Sequence, residues 1–122
     1  MIYNKTTIME SDSESPIVMT IVIGNNILEE LLLCLVEEDY ESETTAALDV
    51  EYTAKYVAVI DKDSLAVMAE KLNIELAKMR DHLVDKFSEG GYISNKSYVV
   101  NAYRNILDYV LDCGGKYRLK QN

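Results

Sequence analysis

The periodic spacing of apolar residues in the second half of the chain constrains its fold more than any other feature. Apolar side chains recur at three- and four-residue steps from Leu65 to Phe87, a spacing that places them on one face of an α-helix. Asp63 stands where an N-cap is expected, and Gly90-Gly91 stands where a helix ends. This stretch therefore predicts one long helix. Its expected inward residues are Leu65, Met68, Ala69, Leu72, Leu76, Met79, Leu83 and Phe87.

A second helix is predicted after Ser94, which can cap its first turn. Gly114-Gly115 follows the last apolar position and is expected to end this helix. A basic tail then closes the sequence. The inward residues expected of the second helix are Val99, Ala102, Tyr103, Ile106, Val110 and Cys113.

The apolar stretch that begins at residue 17 carries two conflicting signals. Ser15-Pro16 is a good helix start, because an N-cap is followed by proline at the first helical position. The residues from Ile17 to Ile23 are mostly β-branched, and such residues favour a strand. Both structures remain open for 17–23.

A capping-box spacing lies a few residues further on. Asn26 is followed three residues later by Glu29, which predicts a helix over 27–38 whatever precedes it. Residues 31–36 are apolar throughout, so this helix is expected to be deeply buried.

Residues 42–60 also fit two structures. Ser42 can cap a helix whose apolar stripe includes three alanines, Ala46, Ala47 and Ala54. The alternation from Leu48 to Ile60 fits a strand equally well. The alanines favour the helix.

These elements predict a mainly α fold, a compact helical bundle of about four helices with a short strand near the N-terminus. A single domain over 1–122 is expected, with 1–15 as a loose arm in which 1–8 can form an edge strand, and with 114–122 as a basic tail. The alternative is an α+β fold, in which strands near 17–23 and 48–60 pair under two or three helices. One Pro and five Gly leave little turn material for an all-β fold.

The N-terminal residues lack the basic segment and apolar run of a signal peptide. Polar residues such as Asn26 and Glu29 interrupt the apolar stretch 17–36, and they are costly at a bilayer centre. The sequence therefore predicts a cytoplasmic protein, in the host cytosol if the source is a phage. Cys34 and Cys113 each lie in apolar surroundings and are expected to be free, buried side chains.

No catalytic or metal-binding pattern stands out. His82 is the single histidine, so no paired Glu-x-x-His motif for a di-iron site exists. It flanks the apolar stripe of its helix beside Asp81 and Asp85, where pairing with a carboxylate is the ordinary role. We expect no enzyme activity, no metal and no cofactor.

One segment, Gly91-Tyr-Ile-Ser-Asn-Lys-Ser-Tyr-Val-Val100, resembles the turn and second-helix start of ribbon-helix-helix repressors. The resemblance covers about a sixth of the chain and implies a transcriptional regulator as an alternative function. No basic strand precedes it, and a chain of net charge −9 repels a phosphate backbone. Direct binding of nucleic acid is therefore not expected.

The negative charge is unevenly placed. Residues 1–51 hold twelve acids against one base, a net −11, whereas residues 52–122 hold nine acids against eleven bases, a net +2. The stretch 29–51 contains no Lys or Arg. Its acids are Glu29, Glu30, Glu37, Glu38, Asp39, Glu41, Glu43, Asp49 and Glu51.

Because a patch of one sign attracts an oppositely charged surface, these nine residues are the predicted partner-binding face. We expect an inhibitor or regulator that docks its carboxylates on a basic protein surface, including one that binds nucleic acid. Small acidic inhibitors from phages and mobile elements, such as some anti-CRISPR proteins, and immunity proteins share this size and charge.

Two alternatives involve other surfaces. The first is a self-assembling or small-ligand-binding homo-oligomer, such as a homodimer, in which the basic tail meets the acidic stretch of another copy. The second is an enzyme or ligand-binding domain whose site is assembled from scattered residues. For the first alternative, the residues expected at the contact between copies are Tyr98, Tyr103, Tyr109, Lys116, Arg118 and Lys120.

Overall fold

The fold is built on a five-stranded antiparallel sheet. A computed structural model of the chain describes residues 2–11, 17–39, 54–88 and 95–120. The strands follow one another across the sheet in chain order. They are β1 (Tyr3–Glu10), β2 (Ile17–Asn25), β3 (Leu31–Asp39), β4 (Ala54–Ile60) and β5 (Arg118–Lys120).

Three α-helices lie between β4 and β5 in the described part of the sequence. They are α1 (Lys62–Leu72), α2 (Met79–Phe87) and α3 (Lys96–Asp112), with a short 3₁₀ helix at Leu76–Lys78. None of these helices is long and apolar enough to cross a lipid bilayer.

The predicted helical bundle is therefore wrong, and the α+β alternative describes the fold. The strands near 17–23 and 54–60 exist, but they do not pair with each other, because β3 lies between them. The helix favoured over 42–60 is wrong for 54–60, which form β4, and 42–53 lie outside the described residues.

The helix predicted over 27–38 is also wrong, because most of this stretch is β3. Consecutive side chains of a strand point to opposite faces of a sheet. Leu31, Leu33 and Leu35 pack in the cluster that contacts the helices, whereas Leu32 and Cys34 belong to a second cluster on the other face. All six residues of 31–36 are buried, as expected. A strand buried on both faces shows no alternation, so periodicity does not distinguish it from a buried helix.

The apparent capping box forms a hairpin turn instead. The Asn26 side-chain oxygen accepts hydrogen bonds from the backbone N–H groups of Leu28 and Glu30, both at 3.0 Å. Its side-chain nitrogen donates to the Glu30 carboxylate at 2.9 Å. Asn can satisfy turn backbone groups in this way as readily as it caps a helix.

The long helix predicted from Asp63 to Gly90 is divided in two. Asp61, not Asp63, caps α1, since its carboxylate accepts from the Ser64 N–H at 2.8 Å. The last residue of α1 is Leu72, and Asn73, which follows it as the C-cap, adopts the left-handed conformation with φ 56°. The expected inward residues are largely correct: five are buried, Leu72 and Phe87 are half-buried, and Leu76 is exposed.

The predicted second helix is confirmed as α3. Val99, Tyr103, Ile106 and Val110 are buried within it, and Cys113 is buried just after its end. Asn95 caps it by accepting from the Tyr98 N–H at 2.8 Å. Cys34 and Cys113 are both free and buried, as predicted. The expected cap at Ser94 and the expected helix end at Gly90-Gly91 lie outside the described residues.

Candidate interaction surfaces at the two ends of the sheet

The antiparallel register gives the sheet two chemically different ends. At one end, Tyr3 pairs with Asn25 and Leu31 pairs with both Asn25 and Ile60. We call this the hairpin end, because the β2–β3 turn closes it. The opposite end, where β1 finishes at Glu10 and β3 finishes at Asp39, is called the acidic end.

The predicted acidic face is divided between these two ends. Glu29 and Glu30 lie at the hairpin end, whereas Glu37 lies toward the acidic end of β3. Seven residue steps of extended strand separate Glu30 from Glu37, a distance of about 23 Å. This exceeds the screening length of about 8 Å at physiological ionic strength, so the two groups act as separate charges.

The other predicted face residues are only partly described. Glu38 and Asp39 complete β3, although their side chains are not among the described ones. Four further members of the predicted face lie outside the described residues, namely Glu41, Glu43, Asp49 and Glu51.

Glu30 is held by two partners at the hairpin end. Arg118 donates to both carboxylate oxygens, each at 3.2 Å, and the Asn26 side chain donates to one of them. The hydrogen bonds from Arg118, and to a smaller extent the one from Asn26, hold the pKa of Glu30 below its ordinary value. Glu30 is therefore a structural anchor between the hairpin and β5.

Glu29 is paired as well. Its carboxylate lies 2.8 Å from the Lys62 ammonium at the start of α1, and the hydrogen bond between them lowers the pKa of Glu29. Both side chains are exposed, so the pair contributes little to stability. Toward the other end of β3, the Glu37 carboxylate lies 3.7 Å from the Lys55 ammonium. This contact is longer, and both of its side chains are exposed.

Most of the net negative charge is carried by acids that lie outside the described residues. The described ranges contain all twelve basic residues of the chain and fourteen of its acids, a net −2. Six of the seven other acids belong to the connections 12–16 and 40–53, which join strand termini at the acidic end. These six are Asp12, Glu14, Glu41, Glu43, Asp49 and Glu51, and the seventh is Glu89.

A cleft of about 600 Å³ opens at the hairpin end. Its floor is apolar, with buried Leu31, Leu65 and Met79 beside Leu76 and Ala77. Its rim is polar and consists of Tyr3, Asn4, Asn25, Asn26, Glu29, Lys62 and Arg80. The sequence patterns did not reveal this cleft, because its walls come from four separate parts of the chain.

Two rim residues hold unusual backbone conformations. Asn4 and Glu29 have φ values of 56° and 62°, in the left-handed region that non-glycine residues rarely adopt. The Asn4 carbonyl accepts a hydrogen bond from the Arg80 guanidinium at 3.1 Å. The third such residue in the described ranges, Asn73, ends a helix. Strain of this kind tends to collect at binding surfaces, which makes the cleft rim a candidate site.

The hairpin tip beside the cleft exposes two large apolar side chains. Ile27 is 81% exposed and Leu28 is 66% exposed, more than any other large apolar residue in the described ranges. Turn positions are ordinarily polar, so an exposed Ile-Leu pair makes this tip a candidate contact surface. The sequence predicts these residues as the start of the helix over 27–38, which is wrong because they form the turn between β2 and β3.

The tyrosines expected at an oligomer contact lie in different places. Tyr103 is only 3% exposed, and its hydroxyl donates to the Leu33 carbonyl at 2.8 Å, so it is not accessible to another copy. Tyr98 is exposed on the first turn of α3. That turn, 95–100, is the described part of the segment that resembles ribbon-helix-helix repressors.

Tyr109 packs between α2 and α3. Its hydroxyl lies 2.7 Å from His82 Nε2, its ring meets the edge of Phe87, and Lys86 lies 4.9 Å above it. Burial raises the pKa of Tyr109, and a hydrogen bond with Cys113 raises it further. His82 therefore pairs with a tyrosine, and the carboxylate partner expected from the sequence is wrong.

The basic tail belongs to the sheet of its own chain. Arg118 and Lys120 lie in β5, which pairs with β4, and Arg118 is bound to Glu30. The Lys116 backbone N–H donates to the Ser64 hydroxyl at 3.1 Å. A short basic edge strand also discourages strand addition at this edge.

Comparisons with protein-family models, with curated proteins and with solved structures find no match to this chain. Within the described residues, no three His, Cys, Asp or Glu side chains are grouped so that they could hold a metal ion.

Proposed function

We propose that this protein works by binding a basic partner protein with the acidic end of its sheet, and that it inhibits or regulates that partner by covering its basic surface. The observation that supports this proposal is the division of charge. At the hairpin end, Glu29 and Glu30 each lie within 3.2 Å of a base, whereas strands finish in acids at the acidic end and the connections that begin there, 12–16 and 40–53, contain six more acids in sequence.

This proposal narrows the surface expected from the sequence. Glu30 leaves it because Arg118 and Asn26 hold its carboxylate, and Glu29 leaves it because it lies with Glu30 at the hairpin end. Glu37, Glu38 and Asp39 remain, together with the acids of the connections 12–16 and 40–53.

Carboxylates of one sign at one end attract a basic groove over about one screening length and speed its association. A groove that binds nucleic acid presents such a surface, so the protein would compete with nucleic acid for it.

The proposal is tested with two triple variants of equal charge. Glu37→Lys/Glu38→Lys/Asp39→Lys changes the acidic end, and Glu70→Lys/Glu75→Lys/Asp85→Lys changes exposed acids of α1, α2 and the segment between them. Each raises the net charge by six. Thermal melts first establish that both variants fold. Each tagged protein is then used to capture partners from host lysate at low and high salt, with quantification by mass spectrometry.

We expect a basic protein that the wild type and the α1–α2 triple capture equally and the acidic-end triple loses. Capture should also weaken as salt rises. The proposal fails if the acidic-end triple retains every partner of the wild type. It fails equally if both triples lose the partner to the same extent, because net charge alone then explains binding.

A further inference from the structure

The apolar tip of the β2–β3 hairpin serves no role in the proposed function. Ile27 and Leu28 protrude from a turn that is held on both sides. Asn26 bonds two backbone groups of the turn, Glu29 is bound to Lys62, and Glu30 is bound to Arg118. A turn fixed in this way loses little conformational entropy when it binds.

The cleft lies directly beside this tip. Asn26 and Glu29, the residues that flank Ile27 and Leu28, line its rim. Its floor contains the buried side chains of Leu31, Leu65 and Met79. One surface of the molecule thus carries an apolar projection and an apolar recess next to each other.

The charge at this end permits the approach of an identical chain. Two molecules of net charge −9 repel each other most strongly through their acidic ends. At the hairpin end, Lys62 and Arg118 offset Glu29 and Glu30, Arg80 lies on the cleft rim, and Asp61 and Asp63 add two negative charges at the start of α1. Two copies therefore meet with less repulsion at this end than at the acidic end, where the strands finish in Glu10, Glu37, Glu38 and Asp39.

We infer that the cleft is occupied by the hairpin tip of a second copy, in a symmetric dimer. A projection beside a recess is self-complementary under a two-fold axis, since each tip enters the cleft of the other copy. The axis lies at the hairpin end, so both acidic ends remain available to partners. A contact with four apolar anchors is smaller than a standard interface of about 1,600 Å², so the dimer is weak and forms at micromolar concentrations or above.

Sedimentation of the full chain over a range of concentrations tests this inference. The wild type should shift from monomer to dimer as concentration rises. Ile27→Ser/Leu28→Ser removes the tip, and Leu76→Glu places a charge in the cleft, so each should remain monomeric at a concentration where the wild type is mainly dimeric. Val67→Ser/Leu111→Ser, at two half-exposed positions of α1 and α3, is the control and should dimerise as the wild type does.

Mixing the variants distinguishes reciprocal insertion from a general loss of apolar surface. The tip variant retains an intact cleft and the cleft variant retains an intact tip, so the mixture should form a heterodimer with one of the two contacts. A wild type that stays monomeric at every concentration overturns the inference. So does a tip variant or a cleft variant that dimerises like the wild type, or a mixture that yields no heterodimer.

The salt dependence of dimerisation distinguishes this inference from the proposed function. Higher salt screens the repulsion between two copies, so the dimer should persist or strengthen, whereas partner binding should weaken. The acidic-end triple should leave dimerisation no weaker than in the wild type. Loss of the dimer at high salt, or through that triple, would contradict the tip-in-cleft arrangement.

Discussion

Tyr103 connects α3 to the central strand of the sheet through one buried hydrogen bond. Its hydroxyl donates to the Leu33 carbonyl at 2.8 Å. Burial raises the pKa of Tyr103, so the hydroxyl stays protonated and remains a donor at neutral pH. We predict that Tyr103→Phe lowers the free energy of unfolding by about 1 kcal/mol in urea denaturation. Tyr56→Phe, at an exposed position of β4, should change it far less, and equal effects would refute this role.

Glu30 makes the hairpin end sensitive to acid. Because Arg118 and Asn26 hold its pKa below the ordinary value, its contribution to stability is complete above about pH 4.3 and is lost as the pH falls through the folded-state pKa. We predict that Glu30→Gln is less stable than the wild type at pH 7 and that the difference shrinks below about pH 4. Denaturation at a series of pH values measures this. A difference that stays constant down to low pH would show that the ion pair is not its cause.

At the scale of elements, the start of α1 distinguishes two neighbouring aspartates. Asp61 accepts a hydrogen bond from the Ser64 N–H, whereas Asp63 lies within the first turn. We predict that Asp61→Ala costs about 1 kcal/mol of stability, the usual value for an N-cap. Asp63→Ala should cost only a few tenths, through the helix dipole. Thermal denaturation of both variants tests the assignment, and a larger cost at Asp63 would reverse it.

The elements also show what the sequence could predict. α3 was predictable because one face of a helix is buried and the other is exposed, so its apolar spacing is visible locally. For β2 the sequence leaves helix and strand open, and for β3 it predicts a helix, because both faces of these strands are buried and no period remains. Asn26 adds to the ambiguity, since the same side chain can cap a helix or close a turn. Its role depended on the pairing of β2 with β3, a contact that local sequence does not encode.

The candidate surfaces were predictable in composition but not in arrangement. The acids of 29–51 were identified from the sequence. The separation of Glu29 and Glu30 from Glu37 follows from the strand conformation of 31–39, where the sequence predicts a helix. The partner of Glu30 is Arg118, 88 residues further along the chain, so their pairing could not be inferred from spacing. The exposure of Ile27 and Leu28 could not be predicted either, because it depends on the turn that joins the paired strands β2 and β3.

At the scale of the whole molecule, charge is sorted along the strand direction. The hairpin end carries two ion pairs, an apolar tip and a cleft, whereas the strands finish in Glu10, Glu37, Glu38 and Asp39 at the acidic end. We propose that the first end serves self-association and the second binds a basic partner. The two interactions should therefore respond to salt in opposite directions, because attraction governs one and repulsion opposes the other.

The salt dependence of partner binding tests the central proposal most directly. The affinity of the purified complex is measured by titration calorimetry at several salt concentrations, for the wild type and for Glu37→Lys/Glu38→Lys/Asp39→Lys. Binding through the acidic end predicts that wild-type affinity falls at least tenfold between about 50 mM and 500 mM salt, where the screening length shortens by about a factor of three. The triple should bind far more weakly at low salt. An affinity that is equal at both salt concentrations, or unchanged in the triple, would contradict the proposal.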